Sequence, residues 1–366
     1  MLIGGINVEI LIASLMVASV PILLAALGEL VVERSGVLNL GVEGMMITGA
    51  IGGFIIAVQT QSPVLGFVGG AVSGAAISAV FALLTQVFLA NQVATGLALT
   101  MFGLGVSSLA GQGYNGIKPP ATGSVPFGPL ADIPFLGRIL FSHDWIVYAS
   151  IALTAAIWWV LKYTRTGLII RAVGESHEAA HALGYKVNRI RLLCILFGGA
   201  TAGMGGAYVS LVRVPQWVDG ITSGAGWIAL AIVVFASWRP WRVLIGAYLF
   251  GGISVLQLNL QAAGAQFPVA LLPALALAGI VGDWIFRSLS TTEVSDLRKM
   301  FYFFGSFHAA TILYLAWGIW VRMQVEYLSM APYLITIIVL VILSSGRGKA
   351  SMSAPAALGQ NFHASR

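Results

Sequence analysis

Long apolar runs separated by short polar segments recur along the chain. Each run approaches the roughly 20 residues with which an α-helix crosses about 30 Å of hydrocarbon, where backbone groups must hydrogen-bond within the protein. The pattern therefore predicts an all-α, polytopic transmembrane helix bundle of about 10–11 spans. The predicted spans are 8–30, 37–58, 64–89, 91–110, 144–163, 190–211, 224–238, 241–260, 267–286, 301–320 and 328–345.

Composition supports this prediction. Of the 366 residues, 58% are hydrophobic and 9% are charged, whereas a soluble domain carries roughly 25% charged residues. We interpret residues 1–366 as a single transmembrane domain with no soluble catalytic domain. The first apolar run is interpreted as a retained span and not as a signal peptide. The single cysteine, Cys194, excludes an intramolecular disulfide and is expected to be buried in a helix.

Basic residues indicate the orientation. The densest basic cluster runs from Lys162 to Arg191, and cytoplasmic segments of membrane proteins carry an excess of Lys and Arg. Residues 164–190 are therefore predicted to be a cytoplasmic loop. By alternation, residues 346–366 form a cytoplasmic tail, residues 111–143 form an outer loop, and the N-terminus lies outside. The excess of basic residues behind the net charge of +6 is therefore explained by orientation. The sequence has no basic stripe with interleaved aromatic residues that would indicate nucleic-acid binding.

Glycines recur one helical turn apart, at Gly66, Gly70 and Gly74 and again at Gly199 and Gly203. Small residues at this spacing let helix backbones approach closely in lipid. We predict that these glycines pack helices together within one subunit, in preference to forming a dimer face.

The stretch ERSGVLNLGVEGMMITGA, residues 33–50, places polar residues inside a predicted span. Glycines and two capping residues, Ser35 and Asn39, offer alternative points at which a helix could start late or be interrupted. Broken helices at membrane depth are tolerated where they line a cavity or are buried in protein, and transporter sites are often built from them. We predict a broken helix at this point.

Glu43 follows this break. A charged side chain at the centre of a transmembrane helix costs about 2.5–3.5 kcal/mol, so an intramembrane carboxylate is a functional candidate. We predict that Asn39 and Glu43 lie on a substrate path. The alternative is that Glu43 pairs with Arg34 near the cytoplasmic interface and only anchors the helix.

A second polar group, Asn91, Gln92 and Thr95, opens the next span at helical spacing. Its amides and hydroxyl could hydrogen-bond a ribose or a purine edge, so we predict that it lines the same path. Alternatively, Asn91 is an ordinary N-cap.

The predicted cytoplasmic loop contains a short helix in SHEAAHALG, with Ser176 as capping residue and Gly184 as C-terminal stop. A helix this short is not stable alone in water, so we expect it to rest against a partner or the bundle. His177 and His181 are one turn apart but lack the further ligands of a zinc motif. We predict that they are solvated and that no metal is bound.

Together, ERSGVLNLGVEGMMITGA, ANQVATGLALT, GLIIRAVGESHEAAHALGYKVNRIR, SMAPYLITIIVLVIL and APAALG resemble permease subunits of ABC importers for nucleosides and related simple sugars, within the branched-chain amino acid and ribose-type permease superfamily. The resemblance covers residues 8–260 and 328–360. It implies a multi-pass subunit of the bacterial cytoplasmic (inner) membrane that translocates nucleosides or related sugars by alternating access. It implies no enzymatic activity and no cofactor of its own, because ATP is bound by a partner subunit.

The resemblance also implies partners: a tandem ABC ATPase subunit, a homologous second permease, an extracytoplasmic substrate-binding lipoprotein, a small-molecule substrate and membrane lipid. The family's coupling helix, which docks into the ATPase, carries a Glu-Ala-Ala pattern that maps here onto Glu178, Ala179, Ala180 and Gly184. The family's discontinuous segment, which lines the translocation path, maps onto residues 36–44.

One segment departs from the family. Residues 266–327 stand where the family has a short connection, and we interpret them as an inserted transmembrane hairpin. The hairpin contains Asp283. The alternative function is an ion-coupled secondary transporter of a small polar solute, with Glu43 and Asp283 as the ion carriers. An intramembrane enzyme is a third alternative, but the spans contain no paired carboxylates and no nucleophile with a His partner. No phosphate-binding loop motif occurs, as expected if the ATPase is a separate chain.

Overall fold

The computed structural model describes residues 2–3, 6–131, 133–262 and 354–363. Two strands of two residues, Leu2–Ile3 and Ile6–Asn7, pair antiparallel before the first helix. The rest of the regular structure in these residues is helical, which confirms the all-α prediction. The helices are α1 (Val8–Arg34), α2 (Val42–Thr60), α3 (Pro63–Ala82), α4 (Gln92–Gly111), α5 (Leu136–Leu140), α6 (Trp145–Tyr163), α7 (Arg165–Glu175), α8 (His177–Ala182), α9 (Val187–Tyr208), α10 (Ala225–Phe235) and α11 (Pro240–Ala262), with 3-10 turns at Gln112–Tyr114 and Gly128–Leu130 and π-helical turns at Leu83–Val87 and Val209–Arg213.

Seven helices of the described part of the chain are long and apolar enough to cross a membrane: α1, α2, α3, α4, α6, α9 and α11. The seventh predicted span, 224–238, is wrong as a full span, because α10 has only 11 residues and reaches about 16 Å, half the hydrocarbon thickness. The predicted spans 267–286, 301–320 and 328–345 lie outside the described residues, as does the whole of the predicted hairpin at 266–327.

The chain breaks between α1 and α2, as predicted, but α2 begins at Val42, later than the predicted residue 37. Its N-cap is Gly41, without a side-chain hydrogen bond, so neither Ser35 nor Asn39 caps it. The reason is that side chains from other elements bind the intervening backbone: the amide of Leu38 donates to Gln92 Oε1, and the amide of Asn39 donates to Glu29 Oε1. Residues 35–41 are therefore held out of helical geometry.

This break lies inside the bundle. Glu29, which contacts Asn39, stands five residues before the end of α1, or about 7 Å along the helix axis. Most side chains of residues 35–41 are buried. Irregular backbone at membrane depth is compatible with lipid only when it is enclosed in this way.

Glycines let α2, α3 and α9 pack at backbone distance. A Cβ added at Gly203 would lie 2.1 Å from the Gly70 carbonyl oxygen, and one added at Gly74 would lie 2.2 Å from the Gly199 carbonyl oxygen. A Cβ at Gly49 of α2 would likewise meet Gly203. The predicted use of these glycines for packing within one subunit is confirmed.

The bundle has two ends with different loops. At one end, the α8 end, residues 354–363 contact residues 35–41, 83–91 and 164–186, and Arg34 binds the carbonyl oxygen of Trp238 in residues 236–239. At the other end, the outer-loop end, residues 112–144 lie beside residues 214–224, and Asn115 forms a backbone bridge with Trp217.

Candidate functional site

A cavity of about 890 Å³ lies at the outer-loop end, between the start of α1, the end of α9, the end of α11 and residues 214–224. A second cavity of about 430 Å³ shares Ala18, Arg213 and Thr222 with the first and reaches Ile22 and Phe250, near the middle of the bundle. Below it, the side chains of α1 and α10 form closely packed apolar core. The polar lining of the two cavities comprises Ser14, Arg138, Ser142, His143, Arg213, Thr222, Ser223, Ser254, Gln257 and Asn259.

The cavity lining is rich in hydroxyl, amide and guanidinium groups. Among the described residues that line it, none is an aspartate or glutamate. Arg138 lies 3.9 Å from the Glu9 carboxylate, whereas Arg213 has no ion-pair partner within the described part of the chain. Such a lining can donate hydrogen bonds to a hydroxyl-rich solute and disfavours cations.

A π-helical turn at the end of α9 places Arg213 at the cavity. Within this turn, the Ser210 hydroxyl donates to the carbonyl oxygen of Ala50 at 2.8 Å, which ties the turn to α2. Because π-helical turns insert an extra residue into a helix, they change the direction in which the following side chains point. Arg213 at the end of the turn lines both cavities.

Glu43 lies behind the cavity wall and is buried. One carboxylate oxygen accepts from the Thr222 hydroxyl at 2.7 Å and from the Gly224 amide at 3.1 Å, and the other accepts from the Gly226 amide at 2.7 Å. These donors are the N-terminal end of α10 and the residues before it, where the helix dipole favours a negative charge. Arg34, the alternative partner, instead donates to the Trp238 carbonyl oxygen at 3.0 Å.

The other end of α10 is also held by a carboxylate. Glu33 of α1 accepts a hydrogen bond from the Trp238 indole N–H. Ser237 and Trp238 both have positive φ, at 50° and 55°, a conformation that non-glycine residues adopt only when their surroundings fix it. The half-length helix α10 is thus fixed at both ends by carboxylates of neighbouring helices.

Asn39 joins α1 to the break before α2. Its Nδ2 lies 3.4 Å from Glu29 Oε2, and its Oδ1 accepts from the Gly41 amide at 2.9 Å. Asn39 is fully buried and does not line the two cavities.

Asn91, Gln92 and Thr95 lie at the α8 end. Asn91 accepts from the Ala94 amide at 3.0 Å as the N-cap of α4, which confirms the alternative interpretation of that residue. Gln92 and Thr95 are buried. The assignment of these three residues, Asn39 and Glu43 to a substrate path stays a prediction.

The predicted short helix is present as α8. Ser176 accepts from the Ala179 amide at 3.2 Å as its N-cap, and Gly184, with φ of +85°, follows its C-terminal end. Glu178, Ala179 and Gly184 are exposed, and Ala180 is buried. The predicted exposure of His177 is wrong, because its ring packs beside Phe362 and is 5% exposed. In the described residues, no group of three potential ligands could hold a metal.

Several residues around the cavity are not predicted as site residues from the sequence. Thr222 and Ser223 stand between Gly220 and Gly224, both with positive φ, and such a glycine-flanked polar segment before a short apolar run is a signal of a broken helix. Arg213, a charge at the end of an apolar run, was a second signal. His143 and Asp144 stand at the boundary between the outer loop and the span 144–163; both are buried, and Asp144 caps α6.

Comparison with known proteins decides the family. The family described as branched-chain amino acid transport system, permease component, matches residues 11–281. The chain belongs to this family. The permease is 41% identical over 273 residues to a putative glucose ABC transporter permease of Haloferax volcanii, covering 73% of the chain and 82% of that relative.

Two further relatives carry nucleoside names. The permease is 32% identical over 301 residues to the guanosine ABC transporter permease NupQ of Bacillus subtilis, covering 75% of the chain and 92% of that relative. It is 30% identical over 275 residues to the nucleoside ABC transporter permease NupC of Lactococcus lactis, covering 72% and 85%. No solved structure matches.

Membership fixes the general role. The chain is a multi-pass permease subunit of a binding-protein-dependent ABC importer. It is not itself an enzyme, and ATP hydrolysis belongs to a separate ATPase subunit of the transporter. A substrate-binding protein is the other general partner of such a permease.

Proposed function

We propose that this permease translocates an uncharged, hydroxyl-rich solute, a nucleoside or a related simple sugar, through the cavity between α1, α9, α10 and α11. The observation that carries the proposal is the shape of this cavity, which reaches the outer-loop end and stops above packed core near the middle of the bundle. A path that is open on one side and closed on the other is what alternating access requires.

The lining supports the proposed class of substrate. Hydroxyl, amide and guanidinium groups around the cavity match ribose and hexose hydroxyls, which both donate and accept hydrogen bonds. The names of the relatives, guanosine, nucleoside and glucose permeases, agree with this class.

In this proposal, the outer-loop end faces a substrate-binding lipoprotein outside a bacterial cytoplasmic membrane, and the α8 end faces the cytoplasm. Glu178, Ala179, Ala180 and Gly184 form the coupling helix, which docks into a tandem ATPase that binds the ATP. A homologous second permease completes the translocation unit. When the ATPases close on ATP, α8 transmits the motion, and the cavity changes the side to which it opens.

The test is uptake of radiolabelled guanosine and glucose by proteoliposomes that contain the permease, with and without co-purified partners and ATP. We expect uptake of one of these solutes only when partners and ATP are both present. Uptake by the permease alone that collapses with the ion gradient would instead indicate a secondary transporter.

A matched pair of variants links uptake to the cavity. Arg213→Gln removes the guanidinium that lines both cavities, and Arg189→Gln removes an exposed guanidinium at the α8 end. We expect Arg213→Gln to raise the KM for uptake roughly tenfold, the effect of about 1.4 kcal/mol of binding energy, while Arg189→Gln leaves the KM unchanged. An unchanged KM in both variants would remove Arg213 from the path.

A further inference from the structure

Residues 354–363, the clasp segment, connect parts of the α8 end that are far apart in the chain. The amide of Gly359 donates to the carbonyl oxygen of Gly36 at 3.1 Å, and the amide of Ala357 donates to the carbonyl oxygen of Gly174 at 3.0 Å. Gly36 belongs to the break before α2, and Gly174 lies near the end of α7, just before α8. The clasp segment therefore joins the break to the connection that leads into α8.

Gln92 fixes the clasp segment to the break. Its Oε1 accepts from the Leu38 amide at 2.8 Å, and its Nε2 donates at 3.1 Å to both the Gln360 carbonyl oxygen and Asn361 Oδ1. Asn361 in turn donates to the carbonyl oxygen of Leu89 at 2.7 Å. Displacing the buried Gln92 amide costs free energy, because moving any one partner leaves a buried donor or acceptor of Gln92 without a hydrogen bond.

Arg191 of α9 adds a charged bond to the same point. Its side chain is fully buried, and its Nη2 donates to the Gln360 carbonyl oxygen at 3.0 Å. The carbonyl of Gln360 thus accepts from both Gln92 and Arg191. A guanidinium donor makes a stronger hydrogen bond than a neutral amide, so α9 holds the clasp segment firmly.

Phe362 supports α8. Its ring is buried, 5.9 Å from the ring of His177 and 5.5 Å from that of His181 between centroids. It also packs with Ala180, on the inner side of the helix. Because a six-residue helix is not stable alone, its position depends on this packing.

We propose that the clasp segment is a positioning element for the transport cycle, with Gln92, Asn361 and Phe362 as its positioning residues. Displacement of α8 moves Phe362, and the rigid bonds of Gln92 and Gly359 carry that displacement to residues 35–41. These residues lead into α2, where Glu43 holds the N-terminal end of α10 at the cavity. The inference rests on the proposed function, since it assigns the route by which motion of α8 reaches the cavity.

The test uses three single variants of the full-length permease. Phe362→Ala removes the support of α8, and Asn361→Ala removes the side-chain bonds to Gln92 and Leu89. The matched control is Gln360→Ala, because Gln360 binds Gln92 and Arg191 only through its backbone carbonyl, which the substitution keeps.

Hydrogen–deuterium exchange of the purified permease tests the connection without any transport. We expect Phe362→Ala and Asn361→Ala to increase exchange severalfold both in residues 177–184 and in residues 35–41, while Gln360→Ala matches the wild type. Faster exchange in residues 177–184 alone would overturn the proposal, since the clasp segment would then not connect the two regions.

The second readout is the number of ATP molecules hydrolysed per solute imported by the assembled transporter. We expect this ratio to rise severalfold in Phe362→Ala and Asn361→Ala, whereas a merely structural role would lower the amount of assembled transporter and leave the ratio unchanged. An unchanged ratio in both variants overturns the proposal. If the proposed function itself fails, the result is different, because the wild-type transporter shows no ATP-dependent uptake.

Discussion

Three buried carboxylates hold the elements around the break together by hydrogen bonds. Glu29 and Glu33 of α1 and Glu43 of α2 are each at most 4% exposed, and each accepts hydrogen bonds from another element. Hydrogen bonds to a charged group contribute about 1.5–3 kcal/mol each, more than neutral ones. Because Glu43 makes three such bonds to the polypeptide beside the cavity, we expect its replacement to affect transport.

We predict that Glu43→Gln lowers uptake about tenfold or more. The variant keeps the size of the side chain but is neutral and turns an NH2 group toward the amide of Gly224 or Gly226, so at least one hydrogen bond is lost and the others are no longer charged. Uptake is measured relative to the amount of permease in the membrane. The control is Asp219→Asn, which neutralises an exposed carboxylate in the neighbouring loop. Normal uptake by Glu43→Gln would show that the anchoring of α10 is dispensable.

A second prediction concerns pH and His177. The pKa of His177 is lowered from 6.5 to about 4, mainly by burial of the imidazole and also by the nearby Arg191 guanidinium. A hydrogen bond with the Ser35 backbone opposes this shift. The folded state therefore favours neutral His177. Above pH 6.5 His177 is neutral in both the folded and the unfolded state. As the pH falls from 6.5 toward 4, the unfolded state binds a proton that the folded state does not, so the free energy of unfolding decreases.

Thermal unfolding of the detergent-solubilised permease measures this dependence. Between neutral pH and the pKa of about 4, the midpoint of wild type should fall more than that of His177→Gln, which carries no titratable group at this position. His181→Gln, on the exposed side of the same helix, should keep the wild-type dependence. Equal falls in wild type and His177→Gln would contradict the assignment.

At the scale of elements, the three-way contact of α2, α3 and α9 depends on the absence of side chains. We predict that Gly203→Ala destabilises the permease by about 2 kcal/mol, because its Cβ would lie 2.1 Å from the Gly70 carbonyl oxygen and the helices must separate. Gly105→Ala, in a helix with no atom within 4 Å of the added Cβ, is the control. It should leave stability unchanged or raise it by up to about 1 kcal/mol. Unfolding midpoints in detergent distinguish the two outcomes.

Comparison of the predicted spans with the observed helices shows which features the sequence pattern predicts and which it misses. Apolar length predicts α1, α3, α4, α6, α9 and α11 to within a few residues, because the bilayer itself sets that length. The start of α2 is missed because residues 35–41 are held by Glu29 of α1 and by Gln92, which is 54 residues from Leu38 in the chain. The cavity is missed because its lining comes from α1, α11 and residues 209–223, which are far apart in the sequence and meet only in the folded bundle.

For the whole molecule, the position of the cavity and the predicted orientation together predict from which side of the membrane each residue can be reached. The cavity reaches the outer-loop end, and α8 lies at the opposite end. The permease has a single cysteine, Cys194, which is buried. A Cys194→Ser background therefore allows single positions to be labelled with a membrane-impermeant maleimide.

In this background we predict that Ser223→Cys, in the cavity, is labelled from outside intact cells, and that Leu183→Cys, 74% exposed beside α8, is labelled only after the membrane is opened. Ala229→Cys, in packed core below the cavity, should resist labelling from either side. Addition of ATP and an inhibitor of its hydrolysis to the assembled transporter should change the labelling rate of Ser223→Cys severalfold, because alternating access alters the exposure of the cavity. A labelled Leu183→Cys in intact cells would reverse the orientation, whereas a constant rate at Ser223→Cys would exclude this cavity as the part that opens and closes.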